Sequence, residues 1–430
     1  MKQHLFISIL LFGAVGSFAQ NWSYADCVNW AREHNISLRK SQLSEQTALH
    51  NLEESKGAWQ PTIDFATTHG VTNYPWATGN KNTYNSTYGF NAGWTVWNGG
   101  ERENTIKQNK LRAEISQLNT VSVLRSLETD LLQVYLNILY AKETIGIYEQ
   151  AVQLSEAQSN RACQLMEAGK MSRVDYSQLK SQYDQDCYEL VNAQGTYSTR
   201  CMELKQLLEL GIDTVVEVKP AQWTQQQVMA QLPPIKESYD MALSTDLYLQ
   251  SLEKEQSVAN LDVAIAKAGR MPKISLNAGV GTGFYAPGGS WGKTMKQGIN
   301  ESIGLTLSVP ILDGKKTKTA VARANVSKLE AQLDYDRRQT ELAQIVENWY
   351  IDTQSAQSRY SAALSQLESA KLSDELTNEQ FALGYINTVE LMTAHNAYIE
   401  AQHSVLQAKY MAMLGQKMIE FYRNAHVELP

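Results

Sequence analysis

The apolar positions of this chain change period several times. From Tyr24 to Trp59 they recur at helical spacing, with a break near His34-Asn35. Gln60-Pro61 ends the run, because the residue before a proline is pushed out of the helical region. Two extended segments follow, near 62–74 and 83–97. In the second, Tyr84, Ser86, Tyr88, Phe90, Ala92, Trp94 and Val96 fall on one face, and Asn85, Thr87, Gly89, Asn91, Gly93 and Thr95 on the other. One side is aromatic and apolar, the other small and polar. Pro75 to Asn80 is rich in turn residues and predicts the loop of a hairpin.

Asn98-Gly99-Gly100 stops the strand, and a helical pattern starts at Glu101. Leu124, Leu131, Ile138, Ile145 and Val152 recur every seventh residue, with Leu127, Val134, Ala141 and Tyr148 three further on. That spacing predicts a coiled-coil seam. Ala168-Gly169-Lys170 breaks it, and a return helix is expected from about Ser172 to Leu210. Residues 211–235 read as a connector, with a short extended run at Thr214–Val218 and a close at Pro233-Pro234.

The same order then recurs. Ala242 to Gly269 reads as helix and stops before Pro272. Ile274, Leu276, Ala278, Val280, Thr282 and Phe284 make one strand face, and Ile303, Leu305, Leu307 and Val309 another, with a glycine-rich loop from Ala286 to Gly298 between them. GLTLSVPILDG (304–314) then leads into some seventy residues without a proline, up to Leu383-Gly384-Tyr385. A helix of that length would run about 105 Å, too long to be buried in one globular domain. Gly314 follows Gly99 by 215 residues (314 − 99), and Gly384 follows Gly169 by the same interval (384 − 169). Equal offsets are what a structural repeat requires. The division is therefore a first repeat over 20–210 (hairpin about 62–97, long helix about 101–167, return helix about 172–210), the connector, and a second repeat over 236–430 (hairpin about 273–310, long helix about 315–382, return helix about 388–423).

Composition narrows the function classes. Lys2, His4, the apolar stretch Leu5–Val15 and Ser17-Phe18-Ala19 read as a secretory signal peptide over residues 1–19. No later apolar run reaches membrane-helix length, so membrane entry would have to be by strands. The strands approach the length of about nine to eleven residues that a tilted membrane strand needs. Four of them cannot close a barrel, and open edges in lipid leave backbone groups unsatisfied. Chains must therefore assemble. The net charge of −7 over 430 residues argues against nucleic acid as a partner. Cys27, Cys163, Cys187 and Cys201 form no metal-ligand spacing and read as free, packed thiols. The histidines are scattered, His395 and His403 stand eight apart on a helix, and no hydrolase, zinc-protease or phosphate-loop motif occurs. Neither an enzyme nor a cofactor is expected.

The strand-to-helix junctions WTVWNGG (94–100) and LSVPILDG (307–314), with the turn sequences EAGKMSRVDY (167–176) and LGYINTVELMTAHNAY (383–398), give the mature chain its resemblance to the TolC-like outer-membrane efflux proteins. The first junction departs from the pattern, with Thr95 where the second has Pro310; Gly99, Gly100 and Gly314 keep the turn. The resemblance implies a mixed α and β membrane protein: a homotrimer whose twelve strands, four per chain, form one barrel in the outer membrane of a Gram-negative bacterium, continued by an α-helical coiled-coil tube in the periplasm. It implies a passive exit duct that meets a periplasmic adaptor and an inner-membrane transporter, with outer-membrane lipid around the barrel. By position, Glu390 and Asp175 match the acidic place that narrows the periplasmic aperture, while Thr393 stands where some relatives carry a further carboxylate. Gly169, Lys170 and Met171, with Gly384, Tyr385 and Ile386, match the adaptor-contacting turns. The bland readings are that Glu390 and Asp175 are solvated charges, that the glycines only end helices, and that Met166 and Met171 fill gaps rather than pass metal. Drug efflux, metal efflux and type I protein secretion stay open, as does a structural periplasmic coiled-coil protein with no channel.

Overall fold

The computed structural model describes residues 20–79, 81–286 and 290–429. The expected signal peptide, Asn80 of the first hairpin loop and residues 287–289 of the second lie outside the described residues. In chain order the elements are β1 (Gln20–Trp22), α1 (Tyr24–His34), α2 (Ile36–Gly57), β2 (Thr62–Asn73), β3 (Asn82–Trp97), α3 (Glu101–Glu167), α4 (Arg173–Leu207), β4 (Val216–Val218), α5 (Gln225–Val228), α6 (Ile235–Thr245), α7 (Leu247–Ala268), β5 (Lys273–Ala286), α8 (Trp291–Gln297), β6 (Asn300–Ser308), α9 (Lys316–Leu383) and α10 (Thr388–Asn424). Among the described residues no helix is long and apolar enough to cross a membrane.

The elements recur in length as well as in order. α1 and α6 both have 11 residues, α2 and α7 both 22, and α3 and α9 have 67 and 68. The breaks match too: Asn35 and Asp246 each leave the helical region, and each donates its N–H at 2.9 Å to the carbonyl four residues back, Ala31 and Ala242.

The chain forms two compact units. The first comprises 20–39, 123–246 and 341–429. Its core gathers around Leu131, Leu132, Tyr135, Leu136, Ile138 and Leu139 of α3, against Trp22, Cys27, Leu204, Leu208, Val218, Trp223, Val228 and Met413. This is wider than the expected seam, in which Ile145, Tyr148 and Val152 are only half-buried. The reason is local wrapping, since β1 pairs in parallel with β4 and the Tyr135 hydroxyl reaches the carbonyls of Trp22 (3.2 Å) and Lys219 (2.8 Å) across that ribbon. Helix α1 enters through a capping box, with Ser23 Oγ accepting from Asp26 N–H (3.2 Å) and Asp26 Oδ2 accepting from Ser23 N–H (3.0 Å). All four cysteines are free thiols.

The second unit comprises 40–122 and 247–340. It holds one antiparallel sheet in the order β2-β3-β5-β6. Register sorts the side chains by face, because cross-strand partners share a face. Ile63, Phe65, Ala92, Phe90, Ala278, Val280 and Ile303 line one side, where Glu301, opposite Val280, is the charged exception; Asp64, Asn91, Gly279 and Ser302 line the other. The face expected for Tyr84–Trp94 is therefore present, but Val96 does not continue it. A bulge between Thr95 and Trp97 gives the partnership with Ile274 to Trp97 instead. Val309 and Pro310 fall beyond the end of β6. Two further expectations are corrected. The glycine-rich loop contains the short helix α8, with Gly298 as its C-cap at φ −85°, and the helical run before Pro272 starts at Ile235 rather than Ala242 and breaks at Asp246.

Candidate functional site

Two kinds of place carry the functional expectations: the strand-to-helix junctions and the turns between long helices. At the junctions, Gly99 (φ +74°) and Gly100 (φ +82°) precede α3, and Gly314 (φ +60°) and Lys315 (φ +70°) precede α9. Gly99 has a second reason to lack a side chain, since a Cβ there would meet the Met271 side chain and stand 3.1 Å from the Ala268 carbonyl. Asn98 Oδ1 accepts from Arg102 N–H (3.2 Å), and Asp313 Oδ2 accepts from Thr317 N–H (2.8 Å), so each helix is capped from the same place. Arg102 is buried, and its guanidinium donates to the carbonyls of Ala58 (3.2 Å), Thr95 (2.6 Å) and Val96 (3.1 Å) while lying 3.5 Å from the Trp59 ring centroid. The bulge is what turns two adjacent strand carbonyls toward it. Sequence reading passed over Arg102, because its partners are irregular backbone.

The turns between long helices are twins. Lys170 N–H bonds Leu165 carbonyl (2.8 Å) and Gly169 N–H bonds Met166 carbonyl (2.9 Å); Tyr385 N–H bonds Gln380 carbonyl (3.0 Å) and Gly384 N–H bonds Phe381 carbonyl (3.0 Å). With Gly169 at φ +71° and Gly384 at φ +81°, both are Schellman ends. The returning helices are capped alike: Ser172 Oγ accepts from Asp175 N–H (3.0 Å), and Asn387 Oδ1 accepts from Glu390 N–H (2.9 Å). Asp175 and Glu390 thus occupy the third position of their helices, where a carboxylate also favours the positive end of the dipole. Ser172-x-x-Asp175 was a readable signal for this.

The six turn residues divide by exposure. Gly169, Lys170, Gly384 and Tyr385 are exposed, Tyr385 at 78%. Met171 and Ile386 instead turn inward, packing with Tyr176, Phe381 and Met392 on a small core of Ala162, Leu179 and Leu391. They hold the tip together.

Beside that core, polar side chains also join the α3–α4 hairpin to the α9–α10 hairpin. Thr388 is 2% exposed and its hydroxyl lies 3.1 Å from Asp175 Oδ1 and against Gln178 Oε1. One hydroxyl proton cannot serve two acceptors; with the Gln178 amide turned, Gln178 donates to Thr388 and Thr388 to Asp175. Asp175 also accepts from Ser172 Oγ (2.6 Å), so its carboxylate is committed within the tip, whereas Glu390 is exposed. Farther along, Gln158 donates to Asn378 (2.7 Å) and Gln182 to Asn396 (3.1 Å), and Glu143 accepts from Lys409 (3.1 Å) and Tyr410 (2.7 Å). A polar seam of this kind can part and be rehydrated, which an apolar seam resists.

Among the described residues no group of His, Cys, Asp or Glu is placed to hold a metal ion. The profile of the family described as outer membrane efflux protein matches residues 27–210 and 238–413. The outer membrane protein TolC of Escherichia coli (strain K12) is 20% identical over 447 residues, covering 98% of this chain and 86% of its own. The alkaline protease secretion protein AprF of Pseudomonas aeruginosa is 23% identical over 299 residues, covering 68% of this chain, which spans 60% of the length of AprF. The crystal structure of CusC superposes with a TM-score of 0.81 at 16% identity, over 96% of this chain and 94% of that one, and so shares the fold. With the profile matching both halves of the chain, the protein belongs to the outer membrane efflux protein family.

Proposed function

We propose that the chain is one protomer of a homotrimeric exit duct, built from two copies of one structural repeat, whose three four-stranded sheets close a single twelve-stranded barrel. As an outer membrane efflux protein it is a channel of the outer membrane and conducts cargo outward without catalysis of its own. The observation that carries the assembly is the sheet. It has an apolar face and a small, polar face, and both edge strands, β2 and β6, are exposed along their lengths. In lipid, each unpaired edge group costs several kcal/mol or about that, so closure with neighbouring copies is required.

In this reading the helical part lies in the periplasm. The exposed turn residues Gly169, Lys170, Gly384 and Tyr385 meet an adaptor that links the duct to an inner-membrane pump, while Met171 and Ile386 keep the turns in shape. Glu390 lines the aperture; Asp175 acts with Thr388 to hold the two hairpins together. Gly99, Gly100 and Gly314, with Pro310 beyond β6, turn strand into helix. Membrane fractionation should recover a detergent-requiring oligomer from the outer membrane, and planar bilayers should show passive conductance; a soluble, non-conducting protein would overturn the proposal. Protein secretion is the second reading, favoured by the relationship to AprF. Deleting the gene and comparing sensitivity to dyes, detergents and metals with the secreted proteins separates the two.

A further inference from the structure

His395 of α10 is 2% exposed and stands between two carboxylates from other helices. Its Nε2 is 3.5 Å from Asp186 Oδ2 of α4, and its Nδ1 is 3.9 Å from Asp374 Oδ1 of α9. Asp186 is 3% exposed and Asp374 6%. All four of these facing atoms are buried without a hydrogen-bond partner. The separations are within ion-pair reach but longer than hydrogen bonds. At that spacing the interaction between ring and carboxylates is one of charge.

The chemistry of imidazole constrains that charge. A neutral ring has one N–H donor and one bare nitrogen acceptor; only the imidazolium presents donors on both sides. With both carboxylates ionised, a neutral ring would set an acceptor against a carboxylate at one flank and leave two buried negative charges without a counter-ion. Among the described residues, no Lys or Arg is paired with either buried carboxylate. From α4, Gln182 donates to Asp186 Oδ1 (2.8 Å); from α9, Glu375 lies near Asp374 but is exposed and paired with the exposed Lys371 (3.9 Å); and the α3 contact to α9 nearby, Gln158 to Asn378, is uncharged. Burial pushes the Asp374 carboxyl above its usual range and the adjacent His395 pulls it back, so this corner favours holding a proton.

We infer that Asp186, His395 and Asp374 form a proton-binding latch: the protonated ring ties α4 to both helices of the α9–α10 hairpin, and loss of the proton loosens the tip. The sign follows from linkage. A proton bound in the joined state and released on parting favours joining at low pH and withdraws that contribution as pH rises. The functional consequence rests on the duct reading, but the proton site does not.

The test uses the assembled protein in detergent, labelled with ¹⁵N-histidine. The ring signals missing from His395→Gln identify His395, and at pH 6 both its nitrogens should carry protons. Hydrogen exchange over 386–400, corrected for intrinsic rates, should rise about tenfold between pH 6 and pH 8.5. It should stay flat in the Asp186→Asn, Asp374→Asn double variant, which needs no counter-charge and keeps the side-chain volumes. A neutral ring at pH 6, or equal pH dependence in wild type and double variant, overturns the latch. Neither result touches conductance, so the duct reading stands or falls separately.

Discussion

The Thr388 hydroxyl at the start of α10 lies 3.1 Å from Asp175 Oδ1 in α4, joining the first turns of the two returning helices. Thr388 is buried. Replacing it with valine keeps the volume but removes the donor and strands Asp175 and Gln178 in a half-dry site. That should cost about 1–3 kcal/mol locally. Hydrogen exchange at 386–395 should quicken and bilayer conductance should rise, while Thr388→Ser restores both. Unchanged exchange in Thr388→Val would remove the bond from any role in holding the tip.

Lys315, just before α9, stands at φ +70°, and Gly100, just before α3, at φ +82°. A side chain in this region costs roughly 1–2 kcal/mol, which glycine avoids, less the larger entropy glycine loses on folding. Lys315→Gly is therefore expected to stabilise the protein by up to about 1 kcal/mol. Gly100→Lys should move stability the other way. Guanidinium unfolding in detergent would show a raised midpoint for the first and a lowered one for the second.

What was legible follows from how far each contact reaches along the chain. Period changes and glycine turns are local, so the ends of α3 and α9 and the alternating faces of the strands could be read directly, and Gly169 and Gly384 do carry the positive φ that ends both helices. Lys315 could not be read, because its strain is imposed by the junction. Nor could Trp97, whose place opposite Ile274 depends on a bulge. The tip contacts are the hardest case. Thr388 and Asp175 are 213 residues apart, and His395 pairs with helices from both halves. Each of these residues alone reads as an ordinary helix-face side chain. Met171 and Ile386 were recognisable as turn residues, but which of the turn residues face inward is set by the small core beneath them.

Gly415 of α10 faces Thr353 of α9 at close quarters. A Cβ on Gly415 would overlap the Thr353 hydroxyl and stand 3.0 Å from its Cβ and 3.3 Å from its Cα. The hydroxyl already accepts no freedom to move, since Thr353 is buried and bonded to the Trp349 carbonyl (2.5 Å). Gly415→Ala should therefore destabilise by about 1–3 kcal/mol, despite alanine's better helix propensity. Thr353→Ala in the same chain should recover part of the loss, because the hydroxyl overlap goes while the tight Cβ approach stays. A double-mutant cycle on thermal unfolding measures the coupling, and strict additivity would show that the Thr353 hydroxyl is not what the new Cβ meets.

Glu390 combines two roles that substitution can separate. Its backbone N–H is capped by Asn387, and its Oε1 accepts from Asn387 Nδ2 (3.0 Å), a bond that a glutamine can keep; its charge faces solvent. If the charge narrows the aperture for anions, Glu390→Gln and Glu390→Ala should both raise conductance and shift ion selectivity away from cations by similar amounts. If the residue matters only as a helix start, both variants should keep the wild-type reversal potential and lose a few tenths of a kcal/mol, about the value of one exposed helix-end charge, with Glu390→Ala losing the Asn387 bond as well. Reversal potentials across a salt gradient distinguish the cases, because they read the charge at the constriction and are insensitive to modest loss of helix stability. A wild-type reversal potential in both variants would place the constriction elsewhere in the duct.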